Sequence, residues 1–232
     1  MDSETYAKHW SDEARRFDEQ NLYAELAKIT PKERVLEIGC GNGFGTRQLA
    51  SDREVLILDN NRFLLQKAKE NNLNNPNVQF IEADIFALTP DQITQILDFS
   101  PLGIVAWLMG SDPYTVESRT PKNTALVERP KLYREAVEDL LVLEPLCTSS
   151  IKWIHLANRV GIDTNASDQD IYDTTVKDYE GYMLSDSNFR VSDVQIIDWA
   201  QSSDGFMYVR AANPNFNAPS VRNCVISILA TR

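Results

Sequence analysis

Four glycines stand at alternate positions in the stretch VLEIGCGNGFGTRQLA, residues 35–50: Gly39, Gly41, Gly43 and Gly45, with Glu37 two residues ahead of the first. A glycine-rich turn between a strand and a helix lets backbone N–H groups approach a ligand, because no Cβ intervenes and positive φ costs little. The dinucleotide fingerprint needs glycines at positions one, three and six. Counted from Gly39 the sixth position is Phe44, and from Gly41 it is Thr46, so neither frame fits. Groups able to move a proton are few. His155 and His9 are the two histidines. A strand histidine is either a hydrogen-bonded core residue or, where its ring emerges at a pocket, a general base. Asp112-Pro113-Tyr114 follows the run WLMGS; Asp112 and Tyr114 could bind an amine or accept a proton, or the tripeptide could be a plain turn. Cys40, Cys147 and Cys224 are odd in number and widely spaced, which fits neither a disulfide framework nor a CxxC metal pattern. They read as reduced thiols of a cytoplasmic protein, and no metal is expected.

These residues need elements to position them. Apolar runs at 34–38, 54–58, 78–82, 102–109 and 151–156 read as strands, and 62–72 and 129–143 as helices between them. That alternation is the pattern of βα units around a parallel sheet. In 129–143, Leu132, Ala136, Leu140 and Leu143 share one face, widened by Tyr133, Val137 and Leu141. Either Asn60 or Asn61 can cap the first helix. An amphipathic stretch at 12–29 carries Phe17, Leu22, Leu26 and Ile29 and sits in a helical cover spanning 1–30. The runs 194–200 and 223–230 read as the last two strands, with a long loop at 201–222 between them. The whole chain, 1–232, is expected to form a single domain.

Bulk properties narrow the partners. The chain has 232 residues, 43% hydrophobic, and a formal net charge of −11. That field repels phosphate backbones, and Lys and Arg never run beyond a dipeptide, so nucleic acid is not the expected partner. No segment approaches 18 uninterrupted apolar residues, and the first ten residues are polar where a signal peptide would be apolar, so neither a membrane span nor secretion is expected.

The run Glu37-x-Gly39-x-Gly41-x-Gly43 resembles the first motif of the class I S-adenosylmethionine-dependent methyltransferases. Two further motifs follow in order. Asp59 lies 20 residues after Gly39 and is followed by Ala68; Glu82-Ala83-Asp84-Ile85 follows the third strand. The resemblance covers about residues 30–160. It implies a Rossmann-like α/β fold: a seven-stranded, mostly parallel sheet with helices on both faces and an antiparallel C-terminal strand pair. It implies S-adenosyl-L-methionine as cofactor and S-adenosyl-L-homocysteine as product. The methionyl end would lie over the glycine turn, the ribose would hang on Asp59, and Asp84 would receive the adenine amino group with Ile85 against the ring. The implied contact set is Glu37, Gly39, Cys40, Gly41, Gly43, Asp59, Asn60, Asp84 and Ile85, with Trp10 as a cover.

Methyl transfer from a sulfonium is an in-line displacement favoured by proximity and a water-poor site. A base helps only where the acceptor carries a proton. His155 leads the base candidates, followed by Tyr114 and Asp112. The turn Asp112-Pro113-Tyr114 is a near miss to the (Asp/Asn/Ser)-Pro-Pro-aromatic motif of amino-group methyltransferases, having one proline. Asn158 and Arg159, at the end of the fifth strand, could bind an acceptor's polar groups. The expected function is methyl transfer to a small-molecule acceptor by a monomer or homodimer. A protein or peptide amine is the second reading. A non-catalytic partner subunit is the third, against which the retained Asp59 and Asp84 argue.

Overall fold

The computed structural model describes residues 1–200 and 221–232. The chain runs α1 (Ser3–Glu19), α2 (Leu22–Ile29), β1 (Val35–Ile38), α3 (Phe44–Leu49), β2 (Val55–Asp59), α4 (Arg62–Asn71), β3 (Val78–Glu82), α5 (Pro90–Phe99), β4 (Gly103–Trp107), α6 (Pro113–Ser118), α7 (Arg129–Leu140), β5 (Trp153–Asp163), α8 (Asp168–Gly181), β6 (Arg190–Asp198) and β7 (Val221–Thr231). The strands form one seven-stranded sheet in the order β3-β2-β1-β4-β5-β7-β6. Neighbours from β3 through β5 are parallel, and β7 pairs antiparallel with both β5 and β6.

Period-two alternation explains the two layers of helix. Leu36, Leu56, Leu58, Ile104, Ala106, Ile154 and Leu156 point to one face, where Ile96 of α5 and Ile171 of α8 cover them. Val35, Val55, Ile57, Val105, Trp107, Trp153 and Ala157 point to the other, under α1, α2 and α4 through Trp10, Phe17, Leu26 and Leu65. A strand buried on both faces is apolar at nearly every position, Glu37 in β1 and Asp59 at the end of β2 being the exceptions, which is why β1, β2 and β4 are legible as near-continuous runs.

Local chemistry sets the helix boundaries. Asn61, rather than Asn60, caps α4: its side chain accepts from the N–H groups of Phe63 and Leu64. The amphipathic stretch expected at 12–29 is two helices, broken at Asn21, which takes a left-handed φ of 61°. Three helices went unread in the sequence, α5, α6 and α8. Thr89 and Gln92 form a capping box ahead of α5, and Ser167 and Asp170 form one ahead of α8.

Three strand boundaries differ from expectation. The segment 102–109 is strand only to Trp107, since Leu108 turns at φ 56°. β6 begins at Arg190 rather than 194 and ends at Asp198. β5 runs on past 156 to Asp163 because β7 supplies antiparallel partners along its whole length, from Trp153↔Thr231 to Asp163↔Val221. Of the loop expected at 201–222, residues 201–220 lie outside the described residues, and Val221 and Arg222 already belong to β7.

Candidate functional site

β1 and β4 lie side by side and their connections leave in opposite directions, so the carboxyl ends of the central strands bound a crevice. A cleft of about 600 Å³, part of it open to solvent, occupies that place. Gly39 and Gly41 form its floor beyond β1. Asp59, Asn60 and Asn61 close it beyond β2, and Ala83, Asp84 and Ile85 beyond β3. Trp107 through Ser111 form the wall beyond β4, Tyr133 reaches in from α7, and Tyr6 and Trp10 of α1 roof it.

The glycine turn has the backbone that glycine alone adopts freely. Gly39, Gly41 and Gly43 have φ of 72°, 54° and 83°. A Cβ on Gly41 would stand 2.4 Å from Trp10 Nε1, so the indole lies directly on the turn. A Cβ on Gly43 would stand 2.8 Å from the Ala68 Cα, so this glycine serves the close packing of α3 on α4. Cys40 and Gly43 are in the turn but not on the cleft surface.

Behind the turn lie two buried carboxylates. Glu37 faces inward from β1 and accepts a hydrogen bond from Thr46 Oγ1 at 2.7 Å. Burial raises its pKa from 4.5 to about 7, the Thr46 bond opposes this and the Asp59 charge adds to it. Asp59 accepts from the Asn61 N–H at 2.8 Å on one oxygen, and from the Gly41 N–H at 3.3 Å and the Cys40 thiol at 3.6 Å on the other. Burial raises Asp59 from 3.8 to about 6, against those three donors. Its carboxylate thereby ties the end of β2 to the glycine turn. Asp84 is only partly buried; it accepts from the Phe86 N–H at 3.0 Å and from the Arg119 guanidinium.

Comparisons with known proteins agree with this geometry. Residues 29–117 match the family described as methyltransferase domain. Over 102 residues the chain is 30% identical to the malonyl-[acyl-carrier protein] O-methyltransferase of Halalkalibacterium halodurans, a match that covers 37% of this chain. The chain spans 38% of the length of that curated relative. Among solved structures, the N-methyltransferase NodS of Bradyrhizobium japonicum WM9, in complex with S-adenosyl-L-homocysteine, aligns with a TM-score of 0.56 at 12% identity, over 100% of this chain and 99% of that one, which is a likeness of fold. The methyltransferase-domain match is confined to residues 29–117, and the likeness to solved methyltransferases is one of fold.

Against the methyltransferase expectation, none of the three base candidates lines the cleft. His155 is fully buried on the α1–α2 face of the sheet, with Nδ1 2.7 Å from Thr30 Oγ1 and Nε2 2.7 Å from Ser227 Oγ. Burial and the nearby Arg53 lower its pKa to about 3. It is a core histidine, placed by strand parity with Trp153 and Ala157. Asp112 is the N-cap of α6. One oxygen accepts from the N–H groups of Tyr114 and Thr115 and the other from the hydroxyls of Thr115 and Ser3, which leaves it turned into the helix. Tyr114 is 78% exposed.

Asn158 and Arg159 are likewise engaged elsewhere, because β5 continues past them. Asn158 is buried and donates to Glu138 Oε1 and to the Tyr179 hydroxyl, both at 2.8 Å. Arg159 pairs with the buried Glu13 at 3.4 Å and lies 5.5 Å from the Trp10 ring centroid.

The cleft contains residues that sequence reasoning did not assign to it. Tyr133 is 5% exposed and lines the cleft, its hydroxyl pKa raised by burial to about 12 against a hydrogen bond with Ser111. Nothing local in the sequence marks it, since it sits in an ordinary apolar stripe. Tyr6 carried a signal, as an aromatic ahead of the first strand. Among the described residues no group of three or more His, Cys, Asp or Glu side chains could hold a metal ion, and no helix is long and apolar enough to cross a membrane.

Proposed function

We propose that the cleft binds S-adenosyl-L-methionine and that the protein transfers its methyl group to a small-molecule acceptor. The observation that carries this is the convergence on one crevice of the positive-φ glycine turn, the tethered Asp59, and Asp84-Ile85, at the carboxyl ends of adjacent strands. The fit is physical: the floor has no Cβ at Gly39 and Gly41, so a ligand can approach the backbone of the turn closely. Asp59, which already accepts from Asn61, Gly41 and Cys40, keeps one of its about four lone-pair sites for a hydroxyl group, and Ile85 offers an apolar face to a planar ring. When bound, the cofactor supplies an electrophilic methyl carried on a sulfonium.

The chain's own part is then orientation and exclusion of water. Trp10 and Tyr6 cover the glycine turn from α1, and Trp107, Met109 and Tyr133 give an aromatic and apolar wall facing the space left for an acceptor. Ser111 and the Tyr133 hydroxyl are the polar groups on that wall. With Tyr133 pushed up to about 12, it donates a hydrogen bond at neutral pH rather than removing a proton. An acceptor with its own lone pair suits this wall best. Among the described residues no Lys, Arg or His lines the cleft, which favours a neutral or cationic small molecule over nucleic acid as the acceptor.

Calorimetry tests the reading. Micromolar binding of S-adenosylhomocysteine to the wild type, lost in Asp59→Ala, is the expected result; no binding to the wild type defeats it. Transfer of a tritiated methyl from labelled cofactor into a metabolite extract rather than a protein extract separates a small acceptor from a protein amine.

A further inference from the structure

Asp84 leaves the end of β3 with its carboxylate gripped on both oxygens. Oδ1 accepts from the Phe86 N–H at 3.0 Å, which closes a local turn. Oδ2 accepts from Arg119, the residue that caps the C-terminus of α6. The guanidinium carbon lies 4.9 Å from the centroid of the Phe86 ring, so stacking fixes the plane from which Arg119 donates. Asp84 and Ile85 line the cleft, whereas Phe86 and Arg119 do not. Arg119 therefore holds the carboxylate from behind, and a carboxylate has about four lone-pair sites, of which two are taken.

We propose that Arg119 is a positioning residue for nucleobase recognition: it aims the remaining lone pairs of Asp84 at the exocyclic amino group of an adenine and so sets discrimination between 6-amino and 6-oxo purines. The inference rests on the cleft being an adenosyl site. Both side chains are about one-third exposed. Without its partner, Asp84 would rotate into solvent, and ordering it would count against each binding event. A 6-oxo ring presents an acceptor where Asp84 presents another, which leaves both unpaired. Because α6 follows directly on Gly110 and Ser111, the same ion pair also fixes the wall that faces the acceptor.

Calorimetry with S-adenosylhomocysteine and its 6-oxo counterpart, S-inosylhomocysteine, tests this on the wild type, Arg119→Ala and Arg119→Lys, with thermal melting as the control for folding. The wild type should prefer the 6-amino ligand. Arg119→Ala should weaken that ligand roughly three- to tenfold, the range for a partly exposed charge-assisted bond, and leave the 6-oxo ligand unchanged. Arg119→Lys should recover part of the preference. Tighter binding of the 6-amino ligand by Arg119→Ala would mean that Arg119 competes for Asp84 and would overturn the proposal. So would an equal loss for both ligands, no change in either, or a wild type without preference. A wild type that binds neither ligand removes the adenosyl reading itself.

Discussion

Glu37 sits in a fully buried strand with a single hydrogen-bond donor, and its ionisation loads the fold in a way that one substitution exposes. Its carboxyl titrates at about 7 in the folded protein and near 4.5 when unfolded. A folded pKa raised above the unfolded one contributes stability that is fully present below about 4.5 and is lost as pH rises through about 7. The full displacement corresponds to roughly 3 kcal/mol at 1.36 kcal/mol per pKa unit, of which about 2 to 3 kcal/mol falls between pH 5 and pH 8. Glu37→Gln removes the titration while its amide oxygen can still accept from Thr46 Oγ1. Urea unfolding of both proteins at pH 5 and pH 8 measures the effect, and any pH-independent cost of the substitution cancels in the comparison. The unfolding free energy of the variant relative to wild type should rise by about 2 to 3 kcal/mol from pH 5 to pH 8, which is near a 1 M difference in urea midpoint for a slope at the upper end of the usual range. A change below about 0.5 kcal/mol, or one of opposite sign, would show that the buried carboxyl is not ionised at the expense of the fold.

Asp112→Ala removes the cap of α6, so the stability should fall by about 1 kcal/mol while turnover per folded molecule stays within threefold; a hundredfold loss of turnover would return Asp112 to the chemistry. His155→Phe strips Thr30 and Ser227 of their partner and should lower the unfolding free energy by about 2 to 4 kcal/mol, again with turnover retained, as denaturation and steady-state rates can show together. Gly41→Ala drives a Cβ into Trp10 at a left-handed backbone position, and calorimetry should find S-adenosylhomocysteine binding weakened by about tenfold or more. Binding of the same ligand should hold steady above pH 7 and fall below about 6, where Asp59 takes up a proton and loses acceptor capacity; affinity that is flat from pH 5 to 8 would separate Asp59 from the ligand.

The floor of the cleft was legible because its chemistry is local. Glycines at alternate positions, Asp59 at the end of an apolar run and Asp84 after the next are all read from neighbours in sequence. The wall beyond β4 was not legible, because it is assembled from distant segments. Tyr133 reaches the cleft only because α7 crosses the sheet, and Arg119 meets Asp84 only because α6 folds back over Phe86. Of the two readings left open for His155, strand parity decides for the core: Trp153 and Ala157, two residues to either side, point the same way. Asp112 had a plainer local explanation, since Asp-Pro ahead of a short polar run is an N-cap followed by proline in the first turn. The length of β5 was hidden because residues 157–163 include Asn, Arg, Gly and Asp, and their strand conformation depends on β7, a partner separated from them by α8 and β6.

The position of β7 has a consequence for how the protein is made. During synthesis β6 emerges before β7, yet β6 touches the rest of the sheet only through β7. Until residues 221–231 have left the ribosome, β5 presents an open row of amide and carbonyl groups from Trp153 to Asp163, and β6 has no ladder to join. The nascent chain is then most exposed to strand-mediated aggregation, and closure of the sheet waits on its last-made strand sliding between two that were already there.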